Sequence, residues 1–114
     1  MRHLLGIEEM SRDEIERVLE TSEAMLEISQ REIKRVPTLR GRTVINVFLE
    51  SSTRTRVSFE IAAKRLSADA INVTRSGSSL SKAETLADMA RNLAAMSADV
   101  LVVRDSVAGV PHML

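Results

Sequence analysis

The sequence has no cysteine, tryptophan or tyrosine, and aromatic residues make up only 2% of it. Without cysteine there can be no disulfide and no thiolate metal site, and the chain suits a reducing compartment such as the cytoplasm. So few rings argue against a surface that stacks on bases. Charge of one sign is also missing: 16 Lys and Arg balance 16 Asp and Glu, for a formal net charge of zero. A general attraction to nucleic acid or acidic membranes is thereby excluded, and any cationic function has to be local. No stretch approaches the ~20 apolar residues of a membrane span, and the apolar run in the opening MRHLLGIEEM is too short for a signal peptide. His3 and His112 have neither metal-ligand spacing nor a paired acid, so they receive no role and no metal or cofactor is assigned. There is no internal repeat, no low-complexity tract and no G-x-x-x-x-G-K-[ST] nucleotide loop.

What is present is a chain of 114 residues, 44% of them hydrophobic, enough for one core but not two. Ser11 and Glu14 form a capping-box pattern, with Asp13 also in the first turn. Ile15, Val18, Leu19, Met25 and Leu26 follow at near-helical spacing, which predicts a long amphipathic helix from Arg12 to about Arg31. VPTLRGRT, with its proline and glycine, reads as a loop. TVINVFL (Thr43 to Leu49) is apolar without alternation, as expected of a strand covered on both faces. A second helix runs from Val57 to Leu66, with Val57, Ile61, Ala62 and Leu66 as its inner stripe and Arg54 and Arg56 at its entrance. DAINVT (Asp69 to Thr74) is a second strand and RSGSSLS (Arg75 to Ser81) a surface loop. Ser81 and Glu84 form another capping box, opening a third helix whose buried face is Leu86, Met89, Ala90, Leu93 and Ala94. DVLVVR (Asp99 to Arg104) reads as a third buried strand, and a further helix begins near Val110.

This order of strands and helices predicts an α/β fold: a parallel sheet with right-handed crossovers and helices on both faces, in three αβα layers. Such sheets bind ligands beyond the carboxyl ends of their strands. Three segments rich in hydroxyls and cations fall there: ESSTRTR, RSGSSLSK and RDS. Arginine at a helix N-terminus is unfavourable by a few tenths of a kcal/mol, because the helix dipole is already positive there. A bound anion reverses that argument. Free N–H groups, the hydroxyls of Ser52, Thr53 and Thr55, and the planar fork of Arg54 together suit phosphate. The plainer alternative has Ser52 or Thr53 capping the helix while the arginines face solvent. Lys82, just after the Ser81 cap, is either part of the same site or a solvated lysine. Arg104 is either a site residue or the partner of Asp105 or Glu50 in a salt bridge. The methionines read as core.

FLESSTRTRVSFE (Phe48 to Glu60) resembles the carbamoyl-phosphate signature of the aspartate/ornithine carbamoyltransferase family, F-x-E-x-S-T-R-T-R-x-S-F. The resemblance continues through SSLSKAETLAD (Ser78 to Asp88) and DVLVVR, and covers nearly the whole chain. Glu50, where ornithine-specific members typically carry lysine, and the Ser78/Lys82 spacing point to the aspartate-specific branch. The resemblance implies transfer of the carbamoyl group from carbamoyl phosphate to L-aspartate, a step of de novo pyrimidine biosynthesis, in the cytoplasm and without a cofactor. Ser52, Thr53, Arg54 and Thr55 would hold the phosphate, and Thr55 and Arg104 would polarise the carbamoyl oxygen. Ser78 and Lys82 would reach into the site of a neighbouring subunit, so that the active site is complete only in a homotrimer of catalytic chains.

The same resemblance marks departures. Family members are much longer, with an H-P-T-Q-like segment supplying His and Gln and a second, aspartate-binding domain. The expectation is therefore a truncated carbamoyl-phosphate-binding domain over residues 1–114, inactive alone. Asp105 stands where histidine is common and Ala83 where glycine is common; neither is an expected ligand. A carbamoyltransferase for another amine such as ornithine, or a non-catalytic domain that binds anions or assembles with full-length chains, is the alternative reading.

Overall fold

The computed structural model describes residues 3–49, 52–74 and 86–104, the side chains of Leu86 and Ala87 excepted. The chain divides into two compact units, residues 1–36 and 37–114. The expected loop Arg75 to Ser81, the Ser81/Glu84 capping box and the helix near Val110 lie outside the described residues.

The first unit is built around helix α1, Arg12–Ser29. Its start is the one the sequence predicts. Ser11 Oγ accepts the Glu14 amide at 3.1 Å, and a Glu14 carboxylate oxygen accepts the Ser11 amide at 3.1 Å. That amide holds the Glu14 carboxyl below its usual range. Asp13 adds a second acid in the first turn, so this helix end neutralises itself. No α1 residue is buried.

The second unit contains strand β1 (Thr43–Phe48), helix α2 (Thr53–Arg65), strand β2 (Asp69–Thr74), helix α3 (Leu86–Ala95) and strand β3 (Val100–Arg104). The strands form a parallel sheet in the order β2-β1-β3. After β1 the chain steps one way to β2, then back across β1 to β3. Crossovers of one hand then need helices on opposite faces of the sheet, and the packing agrees. Ile45, Val47 and Leu49 pack with Met89 and Leu93 of α3. On the other face, Val44 clusters with Ala63 of α2 and Ala68. β1 is central, and its non-alternating sequence is covered on both sides as expected.

The lower end of the sheet is tied by Asp99. Its carboxylate accepts the Thr43 amide at 2.9 Å and an Arg42 guanidinium nitrogen at 3.3 Å. The Thr43 hydrogen bond, with Arg42 beside it, holds this carboxyl below its usual range.

Three expectations need correction. β3 is not a buried strand: Val100 is 42% and Leu101 38% exposed. Among the described residues it lies at the margin of the sheet, so an apolar run without alternation does not by itself mean cover on both faces. In α3, Met89 and Leu93 are buried as expected, but Ala94 is exposed. The inner stripe of α2 is also different. Val57 and Leu66 are half-buried, but Ile61 and Ala62 are exposed, and the sheet is met by buried Ala63 and half-buried Glu60. The reason is polar pairing. Glu60 meets Asn72 of β2, and Asn72 meets Asn46 of β1, so this face of the sheet selects a carboxylate where an apolar stripe was expected.

Candidate functional site

The carboxyl ends of β1 and β3 create the site. β1 ends at Phe48, whose register partner on β3 is Arg104. The Leu49 amide donates to the Arg104 carbonyl at 2.8 Å, which fixes the last residue of β3 beside the exit of β1. From there the chain enters α2 at Thr53, with Ser52 in the N-cap position. In a sheet of order β2-β1-β3 the chain leaves β1 for one neighbour and later returns to the other. The gap between the ends of β1 and β3 is thus the switch point where open α/β sheets place ligands.

Two predicted site residues meet across that gap. Arg104 Nη1 donates to Thr55 Oγ1 at 2.9 Å, joining residues 49 positions apart. The guanidinium uses the hydroxyl oxygen as acceptor, so the Thr55 hydroxyl proton remains available to a ligand. Arg104 and Thr55 therefore present donors side by side.

The entrance of α2 differs from that of α1. The Ser52 carbonyl accepts the Arg56 amide at 3.1 Å, opening the helical ladder. The Ser52 side chain makes no capping hydrogen bond, and the first turn holds no acid. The capping alternative for Ser52 is thus not adopted. Its hydroxyl, half-buried, stands with Thr53 and Arg54, both exposed, at a helix end rich in N–H groups that intrahelical bonds do not use. Arg54 and Arg56 add positive charge where the dipole is already positive. Such an array can bind an anion with more than one oxygen and stabilise negative charge that develops on it.

Of the remaining predicted site residues, Ser78 and Lys82 lie outside the described residues, as do Glu50 and Asp105, the proposed salt-bridge partners of Arg104. Among the described residues, no group of three or more His, Asp and Glu could hold a metal ion, and no helix is long and apolar enough to cross a membrane.

Sequence reasoning missed the Asn46–Asn72–Glu60 chain beneath this site. A signal was present. Ile-Asn-Val occurs at 45–47 and again at 71–73, placing an amide in the middle of each of two apolar strands, and the two asparagines are register partners.

The fold and the site together define an α/β domain with a hydroxyl- and arginine-rich loop at the switch point of its sheet. The chain belongs to the aspartate/ornithine carbamoyltransferase family: the model of that family's carbamoyl-phosphate-binding domain matches residues 2–113. A relative named aspartate carbamoyltransferase catalytic subunit, from Syntrophus aciditrophicus, is 62% identical over 99% of this chain, which spans 37% of the relative's length. The catalytic subunit of M. jannaschii aspartate transcarbamoylase matches with a TM-score of 0.83 and 33% identity, over 99% of this chain and 38% of that one. Aspartate transcarbamoylase from Trypanosoma cruzi, solved with carbamoyl phosphate, matches with a TM-score of 0.84 and 33% identity, over 98% of this chain and 36% of that one.

Proposed function

We propose that residues 1–114 form the carbamoyl-phosphate-binding part of a catalytic chain that transfers the carbamoyl group to L-aspartate, giving N-carbamoyl-L-aspartate and phosphate. The observation that carries this reading is the Arg104–Thr55 hydrogen bond at the switch point, beside a helix entrance with neither an acid nor a side-chain cap. Ser52, Thr53, Arg54 and Thr55 bind the phosphate. Thr55 and Arg104 donate to the carbamoyl oxygen. The aspartate amine attacks the carbonyl carbon, the bond from that carbon to the phosphate oxygen breaks, and the departing phosphate takes the proton that the amine loses. No group proposed here has to act as a general base. Catalysis comes from holding two anions together and from donors aimed at the developing oxyanion.

The choice of aspartate as acceptor is supported by the names of the relatives, among them T. cruzi structures solved with aspartate and with N-(phosphonacetyl)-L-aspartic acid. Ser78 and Lys82 are assigned, from the family's motif, to the site of a neighbouring subunit in a homotrimer. A cytoplasmic location fits the absence of cysteine.

The test uses a full-length catalytic chain carrying this sequence. Arg54→Ala and Lys82→Ala are each expected to be nearly inactive while still folded. A charged hydrogen-bond partner lost from a bound anion costs on the order of 2–3 kcal/mol. Mixed and reassembled, the two variants should regain activity, because some interfaces pair an intact STRT loop with an intact Lys82. Wild-type kinetics in Arg54→Ala would sink the phosphate assignment, and verified mixed trimers without activity would sink the shared site.

A further inference from the structure

Asn46 is the middle of the central strand and is 0% exposed. Asparagine is a poor strand residue, and a buried amide is unfavourable unless its hydrogen bonds are made. Asn46 Nδ2 donates to Asn72 Oδ1 at 3.1 Å, and Asn72 Nδ2 donates to Glu60 Oε1 at 3.0 Å. The same Glu60 oxygen lies 3.7 Å from Lys64 Nζ. The polarity of this ladder is dictated from the helix. A carboxylate only accepts. Asn72 must give Glu60 its amino group and turn its oxygen to Asn46, and Asn46 must answer with its own amino group. The Asn46 oxygen is then left without a partner among the described residues.

An apolar residue at position 46 would avoid that unpaired oxygen, so the ladder is not explained by burial. We infer that it is a positioning device for the anion site: Asn46, Asn72 and Glu60 lock the setting of α2 on the sheet and thereby hold Thr55 against Arg104. The apolar contact beneath α2 is small and does not fix its setting alone. Ala63, the buried residue of the helix, is set against Val44 and Ala68, and Phe59, 43% exposed, lies against Phe48 with ring centroids 6.4 Å apart. Such hydrophobic contact is non-directional. Hydrogen bonds near 3 Å are directional. Glu60 lies five residues after Thr55, about 7.5 Å along the helix axis. A slide or rotation of α2 at Glu60 is therefore transmitted to Thr55, while Arg104 stays fixed through its strand and the Leu49 amide. Misplacement by 1 Å can cost ~10²-fold in rate.

This inference rests on the function proposed above, and the experiment separates the two. In the full-length catalytic chain, kcat and KM for carbamoyl phosphate are measured for Asn46→Val, Glu60→Gln, Thr55→Val, and Asn46→Val combined with Thr55→Val. Asn46→Val, folded by far-UV circular dichroism, is expected to lose about ten-fold or more in kcat/KM. Glu60→Gln still offers Asn72 an acceptor and should stay close to the parent. The double variant should be no worse than Thr55→Val alone, because the ladder acts through Thr55. A folded Asn46→Val enzyme with parental kcat/KM, or losses that multiply in the double variant, overturns the inference. If Asn46→Val does not fold, Glu60→Ala, altered at a partly exposed position, takes its place with the same two outcomes. Arg54→Ala is the control: if it leaves carbamoyl phosphate use intact, the function reading fails, whereas its inactivity beside a parental ladder variant overturns the ladder alone.

Discussion

Replacing Thr55 with valine removes one hydroxyl at almost constant shape and nearly constant helix propensity. In the unliganded protein the loss is the Arg104–Thr55 hydrogen bond of 2.9 Å, between exposed groups. Water replaces the acceptor, so the stability cost is at most ~1 kcal/mol. For a chain of 114 residues that is a fall in Tm of about 4 °C or less. In the proposed complex the same hydroxyl would have two duties: accepting from Arg104 and donating to the anion. A hydrogen bond to a charged group contributes ~1.5–3 kcal/mol, which is roughly 10- to 100-fold in affinity. Thr55→Val should therefore leave the melting curve almost in place while weakening carbamoyl phosphate by at least ten-fold, measured by calorimetric titration on the full-length chain. Serine at the same position, keeping the hydroxyl, should recover most of the affinity. If Thr55→Val binds carbamoyl phosphate within about a factor of two of the parent, well short of the expected loss, the Arg104–Thr55 pair is not part of the anion site.

Two further predictions concern the frame that carries the site. Ser97, following α3, holds a left-handed backbone with φ of 55°, a region that glycine enters without the penalty other residues meet. Ser97→Gly should gain about 0.5–1 kcal/mol, a rise in Tm of roughly 2–4 °C; a fall in Tm would show that the serine side chain outweighs the backbone strain. Asp99 should make stability sensitive to acid. Its folded pKa is lowered by the Thr43 amide and by Arg42, so its contribution is complete above the unfolded carboxylate value of about 3.9 and is lost as pH falls through the folded value. Melting curves from neutral pH into the acid range should fall more steeply for the parent than for Asp99→Asn, and parallel curves would remove Asp99 from the account.

The sequence was most legible where local rules and tertiary structure agree. α1 begins at Arg12 because Ser11 and Glu14 can satisfy the helix end by themselves. β2 occupies Asp69–Thr74 as expected, since its strand-forming residues lie between a helix end and a polar, glycine-containing stretch of sequence. The entrance of α2 is legible as an unusual helix end, because its hydroxyls and arginines contradict helix electrostatics unless something negative binds; that an anion binds there is the proposal. Legibility failed where a neighbouring chain segment decides. Burial of β3 depends on its place in the sheet, not on its own residues, and Leu101 is as apolar as Val47 yet far more exposed. The inward face of α2 was misread because apolar periodicity assumes an apolar partner, whereas Glu60 is drawn inward by Asn72. The nearness of Arg104 and Thr55 is implied by the family resemblance alone, which brings both to one oxygen; composition and spacing cannot give their contact, since it depends on which strands become neighbours.

The two helix entrances of this chain bring these points together. α1 and α2 face the same electrostatic problem of free N–H groups and a positive dipole end. α1 solves it with its own serine, aspartate and glutamate, a cap that is worth about 1 kcal/mol. α2 declines every one of those solutions: its serine makes no cap, its first turn has no acid, and Arg54 and Arg56 deepen the positive charge. A helix end left unresolved in this way has to be held by other parts of the structure. Those parts are the Arg104 contact at the tip and the Asn46–Asn72–Glu60 ladder along the shaft. Both are directional polar contacts in places where ordinary packing would use apolar ones, and both meet the sheet at β1 or its neighbours. A domain that only had to fold could cap α2 with an acid and fill position 46 with valine. One that must keep a positive site open for a doubly charged ligand cannot do the first, because the acid would occupy the ligand's place. It gains from the second only if the site can tolerate a helix free to slide.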